Sequence, residues 1–229
     1  MPERVAPADG GHPSRPRGGR PTRAQAAQLD DHLLDVATTM LLEHGYGLTT
    51  VEAIAQRAQV AKRTFYHRYA DKSALMTAVA RRLIDRLRPP PGVPLVEGRD
   101  LRQQLEHLAR LILRAALQPQ ALALHRLIVA EAQRFPELAR AVAQAGGRAE
   151  AVGLIAGLLQ RHAGAGSLDA RQAAFAAEQF LQLVVSAPQL RALGLGEPDT
   201  PEQIEQWTRR SVALFLGGCA ALGAADPAG

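Results

Sequence analysis

The sequence predicts an all-α protein built from two helical domains. Aromatic residues make up 4% of the 229 residues while alanine and leucine are abundant, a composition that favours helices packed through small and branched aliphatic side chains. Apolar residues recur at helical spacing along most of the chain, and no segment shows a competing strand pattern. Three consecutive prolines at 89–91 interrupt that spacing, so they mark the boundary between a domain at 24–88 and a second at 89–229.

The N-terminal region is predicted to contain a disordered basic arm followed by a first helix. Residues 1–23 hold five prolines, four glycines and five arginines, a density at which a helix is disfavoured. The helix extends from about Gln28 to His44 and stops at Gly45. Its inward apolar stripe comprises Leu33, Ala37, Met40 and Leu41.

Residues 49–75 carry the most informative pattern, which predicts two short helices joined by a tight turn. Thr49 and Glu52 have the spacing of a capping box at the start of the first of these helices. After a break at 59–61, residues 62–68 place seven consecutive polar or aromatic side chains on about two helical turns, with Phe65 turned inward. A helix so rich in basic and hydrogen-bonding groups is typical of nucleic-acid recognition.

The charge distribution also favours the N-terminal part of the chain as the site of nucleic-acid binding. Residues 1–88 hold 14 Lys+Arg against 9 Asp+Glu, a balance of +5, whereas residues 89–229 hold 13 against 13. All the excess positive charge therefore lies in the N-terminal part of the chain. A basic surface attracts phosphate groups but does not by itself select a base sequence.

Residues 28–88 resemble the DNA-binding domain of TetR-type transcriptional regulators. The resemblance rests on the pattern T-x-x-x-I-A-x-x-A-x-V-x-K-R-T-F-Y-x-x-[FY]-x-x-K-x-x-L, which follows a helix ending in E-H-G-Y. Two later segments, 126–142 and 176–195, resemble the ligand-binding half of the AefR-like regulators. The chain departs from the pattern at Gln59, where glycine is usual, and at Ala61, where serine is usual. Each departure costs roughly 1 kcal/mol, through a left-handed turn residue and a missing N-cap.

The resemblance implies a three-helix helix-turn-helix domain that binds double-stranded DNA at a palindromic operator. It places three side chains at base edges or nearby phosphates, namely Lys62, Arg63 and His67, and four at the DNA backbone, namely Thr50, Thr64, Tyr66 and Lys72. The arginines of the arm, Arg15, Arg17, Arg20 and Arg23, either lie on phosphates or in the minor groove, or belong to a solvated tail.

Asp71 is predicted to cap a fourth helix, which ends before the proline run and which, by resemblance, connects the two domains. Further helices are predicted at 100–117, 120–134, 136–145, 148–163, 169–186 and 201–217. Two of them carry many small residues, which either form a homodimer interface or pack within one chain: Ala151, Gly153, Ala156, Gly157, Ala173, Ala174, Ala176 and Ala177.

The second domain has more apolar surface than a thin dimer interface requires, which predicts a cavity for a lipophilic or aromatic small-molecule effector. The residues expected to line it are Leu105, Leu108, Ile112, Leu127, Ile128, Phe135, Phe180 and Val184. His125 and Glu131 are expected to supply polar contacts there. The alternative is an ordinary core, with both polar groups solvated or satisfied locally.

Several function classes find no support in the sequence. No hydrolase elbow, zinc-protease, P-loop or dinucleotide motif occurs, the seven histidines lack metal-ligand spacing, and no cofactor or metal is expected. Cys219 is the single cysteine, and no signal peptide or stretch of ~20 apolar residues is present, so we expect a soluble, cytoplasmic protein. The favoured function is a homodimeric, effector-responsive repressor. An architectural DNA-binding protein and an unrecognised all-α enzyme stay open as alternatives.

Overall fold

A computed structural model describes residues 23–163 and 168–217. Within those residues the chain forms ten helices and no strand, which confirms the all-α prediction. Most of the predicted arm, and Cys219, lie outside the described residues. The helices are α1 (Arg23–Leu48), α2 (Val51–Arg57), α3 (Lys62–Arg68), α4 (Lys72–Leu87), α5 (Leu101–Ala116), α6 (Pro119–Glu131), α7 (Pro136–Ala145), α8 (Gly147–His162), α9 (Ala170–Ala192) and α10 (Pro201–Gly217).

Helices α1 to α4 pack around one core, but that core does not end at the proline run. Phe65 and Leu33 are fully buried in its centre, and three residues from beyond residue 91 complete it: Leu127, Leu138 and Ala141. The first is on α6 and the other two are on α7. The N-terminal domain is therefore packed directly against α6 and α7, and the two domains share buried side chains.

Helices α5, α8, α9 and α10 form a second core. Leu105, Ile155 and Phe180 are fully buried there, and Phe180 packs edge-to-face on Phe215 at a centroid distance of 5.0 Å. Ala173 and Ala177 are also fully buried within this single chain. The prediction that the whole small-residue stripe faces a second subunit is thus wrong for these two alanines, because they are already fully buried within one chain.

Several helix starts are as predicted. The Asp71 carboxylate accepts a 2.7 Å hydrogen bond from Ala74 N, and Asp169 forms a full capping box with Gln172. The predicted capping box at Thr49 is wrong, because the Thr49 hydroxyl is buried and donates to the Gly45 carbonyl at 2.7 Å. Thr50 caps α2 instead, accepting a hydrogen bond from Ala53 N at 3.1 Å.

Several helix bounds differ from the prediction, and α6 ends at Glu131 rather than at residue 134. Helix α1 begins at Arg23, continues to Leu48 and has a non-helical residue at Gly45, where the expected stop becomes a break with φ of 78°. Helix α9 continues past residue 186 to Ala192, with Pro188 inside it. None of the helices in residues 23–163 and 168–217 combines the length and apolar character of a membrane span.

Candidate functional site

Helix α3 presents a polar, basic surface while its aromatic side holds it to the core. Lys62, Arg63, Tyr66 and His67 are exposed and Thr64 is half-buried, so the predicted DNA-contacting side chains of this helix share one accessible surface. Phe65 is fully buried beneath them. Arg63, Tyr66 and His67 also line a cleft between α3 and the start of α1, where Arg23 lies. We call α3 the recognition helix.

The turn before the recognition helix contains both of the departures noted in the sequence. Gln59 has a φ of 55°, the only non-glycine residue with positive φ in the described part of the chain. Ala61 is the N-cap of α3, and its methyl side chain makes no capping hydrogen bond. The positive φ and the missing cap are therefore both present, and the polar side chains that follow on α3 are exposed.

Ion pairs fix the recognition helix and α4 against α1. Arg68, at the end of α3, pairs with Asp30, and Arg82 of α4 lies 3.0 Å from the carboxylate of Asp35. The Arg82 guanidinium also donates a 2.7 Å hydrogen bond to the Asp31 carbonyl. Helix α1 is thus the common partner of these ion pairs, which connect it to the end of α3 and to α4.

Lys72 begins α4 but does not simply point into solvent. Its ammonium donates a hydrogen bond to the Tyr46 carbonyl and lies 3.8 Å from the centre of the Tyr46 ring. Burial lowers the pKa of Lys72, and burial together with Glu137 and Asp71 raises the pKa of Tyr46 to about 12. The predicted contact between Lys72 and a phosphate stays a prediction. The Lys72 ammonium would have to divide its N–H donors between that phosphate and the Tyr46 carbonyl.

Glu131, predicted to face an effector, holds the N-terminal domain instead. Its carboxylate accepts hydrogen bonds from Tyr46 N at 3.0 Å and Gly47 N at 2.8 Å. Phe135 packs edge-to-face on Tyr46 with ring centres 5.3 Å apart. A Cβ atom at Gly45 would collide with the Glu131 carboxylate, so this glycine permits both the positive φ and the close approach. The last turn of α6 therefore fixes the segment that leads into α2.

An apolar pocket of about 490 Å³ lies between α4, α5, α6, α8 and α9. Leu108, Ile112 and His125, three of the expected residues, line it. Four further apolar side chains that were not predicted also line the pocket: Ile84, Leu154, Leu181 and Val185. Ile84 directly follows Leu83 in the predicted fourth helix, and two adjacent apolar residues indicate a second apolar side of that helix.

The other expected pocket residues lie elsewhere. Leu105, Phe180 and Val184 are fully buried in the C-terminal core, whereas Leu127 and Ile128 pack in the N-terminal core. The structure thus brings Leu108, Ile112 and His125 together at the pocket. Leu105, Phe180 and Val184 belong to the same core as Leu108 but do not line the pocket. Within the described residues no group of three or more histidine, cysteine, aspartate or glutamate side chains is arranged to hold a metal ion.

Comparison with known families agrees with this architecture. Residues 33–79 match the family described as bacterial regulatory proteins, tetR family, and residues 103–219 match the AefR-like transcriptional repressor C-terminal domain. The chain belongs to the TetR family. TetR proteins are DNA-binding transcriptional regulators and not enzymes, so the expectation of a helix-turn-helix regulator is confirmed.

Individual relatives of this TetR regulator have low sequence identity to it. It is 33% identical over 109 residues to uncharacterised HTH-type transcriptional regulators of Mycobacterium bovis and Mycobacterium tuberculosis, a match that spans 48% of this chain and half the length of those relatives. The solved flavonoid-responsive regulator FrrA is 30% identical, with a TM-score of 0.68 and coverage of 83% of this chain and 96% of its own. A TetR regulator from Agrobacterium tumefaciens is 26% identical, with a TM-score of 0.61 and coverage of 85% and 93%.

Proposed function

We propose that this regulator is a homodimeric repressor that leaves a palindromic operator when a lipophilic or aromatic molecule occupies the apolar pocket. The observation that carries the proposal is the position of α4. Ile84 and Leu87 of α4 line the pocket, and the other end of the same helix joins the recognition helix through only three residues, 69–71. A ligand that shifts α4 would therefore shift α3. Such a ligand lowers operator affinity only to the extent that it binds the shifted conformation more tightly than the operator-binding conformation.

The proposed dimer uses the outer side of α8 and α9. Phe175 on α9 is 64% exposed, and a Cβ atom at Gly153 on α8 would meet only open space. In the proposed dimer the exposed Phe175 ring of one subunit is buried against the small-residue surface of the other, on both sides of a two-fold axis. Two recognition helices related by that axis read two half-sites in opposite orientation, which is why the operator is proposed to be palindromic.

Operator release by a pocket ligand is the decisive test. Sequencing the DNA retained by the purified protein supplies the operator, and a thermal-shift screen supplies ligands, because a ligand at 100 times its Kd stabilises the folded state by about 2.7 kcal/mol. FrrA is described as flavonoid-responsive, so flavonoids belong in the screen. A hit is then titrated into the protein–operator complex while fluorescence anisotropy is recorded.

A pocket-filling variant makes the test specific. Ala151 lines the pocket, and Ala151→Phe should abolish the ligand response while operator binding is retained. Ala143→Phe, at an exposed position of α7, is the matched control and should respond like the wild type. If ligands that stabilise the protein leave operator binding unchanged, the effector mechanism is wrong. If the retained DNA shows no common palindrome, the architectural alternative is favoured.

A further inference from the structure

A second pocket, of about 360 Å³, lies beside the apolar one and has a different chemistry. Four of its lining side chains are arginines, namely Arg82, Arg86, Arg88 and Arg114. Thr38, Gln118 and Gln120 add further polar groups, and none of the described residues that line it is acidic. Guanidinium groups recognise carboxylates and phosphates through paired N–H donors, so this lining is suited to an anion.

The two pockets meet along a common wall. Five residues line both of them: Leu87, Arg88, Pro89, Leu111 and Ala115. Because Arg88 lines both pockets, a molecule whose apolar part lies in the larger pocket can present its other end to this arginine. Arg88 is the polar member of this shared wall and sits at the C-cap of α4, the helix that leads to the recognition helix.

Three of the four arginines already have carboxylate partners. These carboxylates do not line the arginine-lined pocket, but Glu150 lines the apolar pocket beside it. Arg82 and Arg86 share Asp35, at 3.0 Å and 3.3 Å. Arg88 donates two hydrogen bonds of 2.7 Å to Glu150. Each guanidinium has five N–H donors, so these pairs leave donors for a ligand.

Arg114 has the fewest ionic contacts of the four arginines. It is exposed, lies in the last turn of α5, and makes no ion pair within residues 23–163 and 168–217. An anion bound at Arg114 would therefore not have to displace a carboxylate of the protein. This makes Arg114 the best single position at which to test anion binding.

We propose that the effector is an anionic amphiphile. Its alkyl or aromatic body occupies the apolar pocket, and its carboxylate or phosphate monoester group is held by Arg114 and Arg88 in the arginine-lined pocket. This assignment rests on the proposed function, because it names the chemical class of the molecule that occupies the same site. The arginine lining disfavours cationic amphiphiles of the same length.

Four ten-carbon probes test the assignment directly: decanoate, decyl phosphate, decanol and decyltrimethylammonium. Isothermal titration of the full chain, below the concentrations at which these probes form micelles, should show both anions binding at least about tenfold more tightly than decanol. Decyltrimethylammonium should bind most weakly. The ratio between decanoate and decyl phosphate then identifies the preferred head group.

Variants at the arginine-lined pocket distinguish recognition of the charged head group from non-specific hydrophobic binding. Arg114→Gln should reduce the advantage of decanoate over decanol by about tenfold, whereas Arg102→Gln, an exposed change on the same helix outside both pockets, should leave it unchanged. Glu150→Gln removes a carboxylate that lines the apolar pocket and releases the Arg88 guanidinium from its partner, so decanoate should bind more tightly while decanol binding changes little. A purely structural role for these residues would not produce a gain for one probe alone.

Equal binding of decanol and the anions would overturn the assignment. So would binding of none of the probes, or an anion preference that survives Arg114→Gln and does not change in Glu150→Gln. The two proposals fail differently. Anion binding without operator release supports the ligand class and contradicts the effector mechanism, whereas operator release by decanol but not by decanoate supports the mechanism and overturns the ligand class.

Discussion

The indole Nε1 of Trp207 donates a 2.8 Å hydrogen bond to the carbonyl oxygen of Val184. Val184 lies four residues before Pro188, whose ring nitrogen has no hydrogen to offer that carbonyl. The indole therefore satisfies the acceptor that the proline leaves free, and α9 continues to Ala192. The Arg191 guanidinium lies 5.2 Å from the centre of the Trp207 ring, which holds the same end of α9 beside α10.

Trp207→Phe should destabilise the protein because the buried Val184 carbonyl loses its donor, at a cost of about 1–3 kcal/mol. Pro188→Ala restores a backbone N–H at position 188, so the same substitution should cost less in that background. Urea unfolding followed by circular dichroism at one protein concentration measures both differences. An equal cost in the two backgrounds would show that the hydrogen bond does not compensate for the proline.

This relationship also explains why the end of α9 was not predictable from the sequence. A proline ordinarily ends a helix because it removes a donor and its ring crowds the preceding turn. The donor that replaces the missing one comes from Trp207, 23 residues along the chain. Local sequence patterns carry no information about such a tertiary partner. The starts of α4 and α9, by contrast, depend on caps at Asp71 and Asp169 that lie within three residues of their partners, and these were predicted correctly.

The difference between local and tertiary partners also separates the recognition helix from the apolar pocket. The DNA-facing side chains follow one another on a single short helix, so their common exposure follows from helical geometry once Phe65 is placed in the core. The pocket residues come from five helices, and apolar spacing alone cannot decide which core a helix joins. Leu127 and Ile128 are as apolar as Leu108 and Ile112, yet α6 packs on α1 and the first pair belongs to the N-terminal core.

Gln59→Gly should stabilise the protein by roughly 1 kcal/mol, because glycine adopts the φ of 55° without the steric penalty that a Cβ atom brings. Gln56→Gly is the matched control: it is equally exposed but helical, within α2, and should cost about 0.5–1 kcal/mol. Urea unfolding of both variants measures the two effects. Destabilisation by both changes would show that Gln59 has a stabilising contact that outweighs its backbone strain.

Phe175→Arg should convert the proposed dimer to a folded monomer, since it places a charge where an aromatic ring is expected to be buried between subunits. Ala177→Arg should unfold the chain instead, because Ala177 is fully buried within one subunit. Light scattering and circular dichroism together distinguish these results. Leu195→Arg, at a position 75% exposed outside α8 and α9, should stay dimeric. A wild-type monomer at micromolar concentration would contradict the proposed assembly.

Glu131→Ala should loosen the segment that precedes α2, because two backbone N–H groups lose a charged acceptor, each such bond being worth about 1.5–3 kcal/mol. Both stability and operator affinity should fall, while Gln133→Ala, a nearby exposed change, should alter neither. Ligand affinity should not change, since Glu131 does not line the apolar pocket. Loss of ligand binding with operator affinity retained would favour the original expectation that Glu131 contacts the effector.

Arg63 and Lys72 provide the sharpest test of the recognition helix, because the structure gives them different surroundings. Arg63 is exposed near the N-terminus of α3, where side chains reach base edges in the major groove. Arg63→Ala should therefore cost about 1–3 kcal/mol of operator binding and relax the preference at a particular base pair.

Lys72→Ala should weaken binding to all DNA sequences evenly and reduce the slope of log affinity against log salt by about one unit if its ammonium also reaches a phosphate. If Lys72 serves only the Tyr46 carbonyl and ring, the variant should lose stability while the salt slope stays unchanged. Titrations of both variants against operator and scrambled duplex at several salt concentrations, paired with urea unfolding, separate these outcomes. Unchanged operator affinity in both variants would refute the assignment of α3 as the recognition helix.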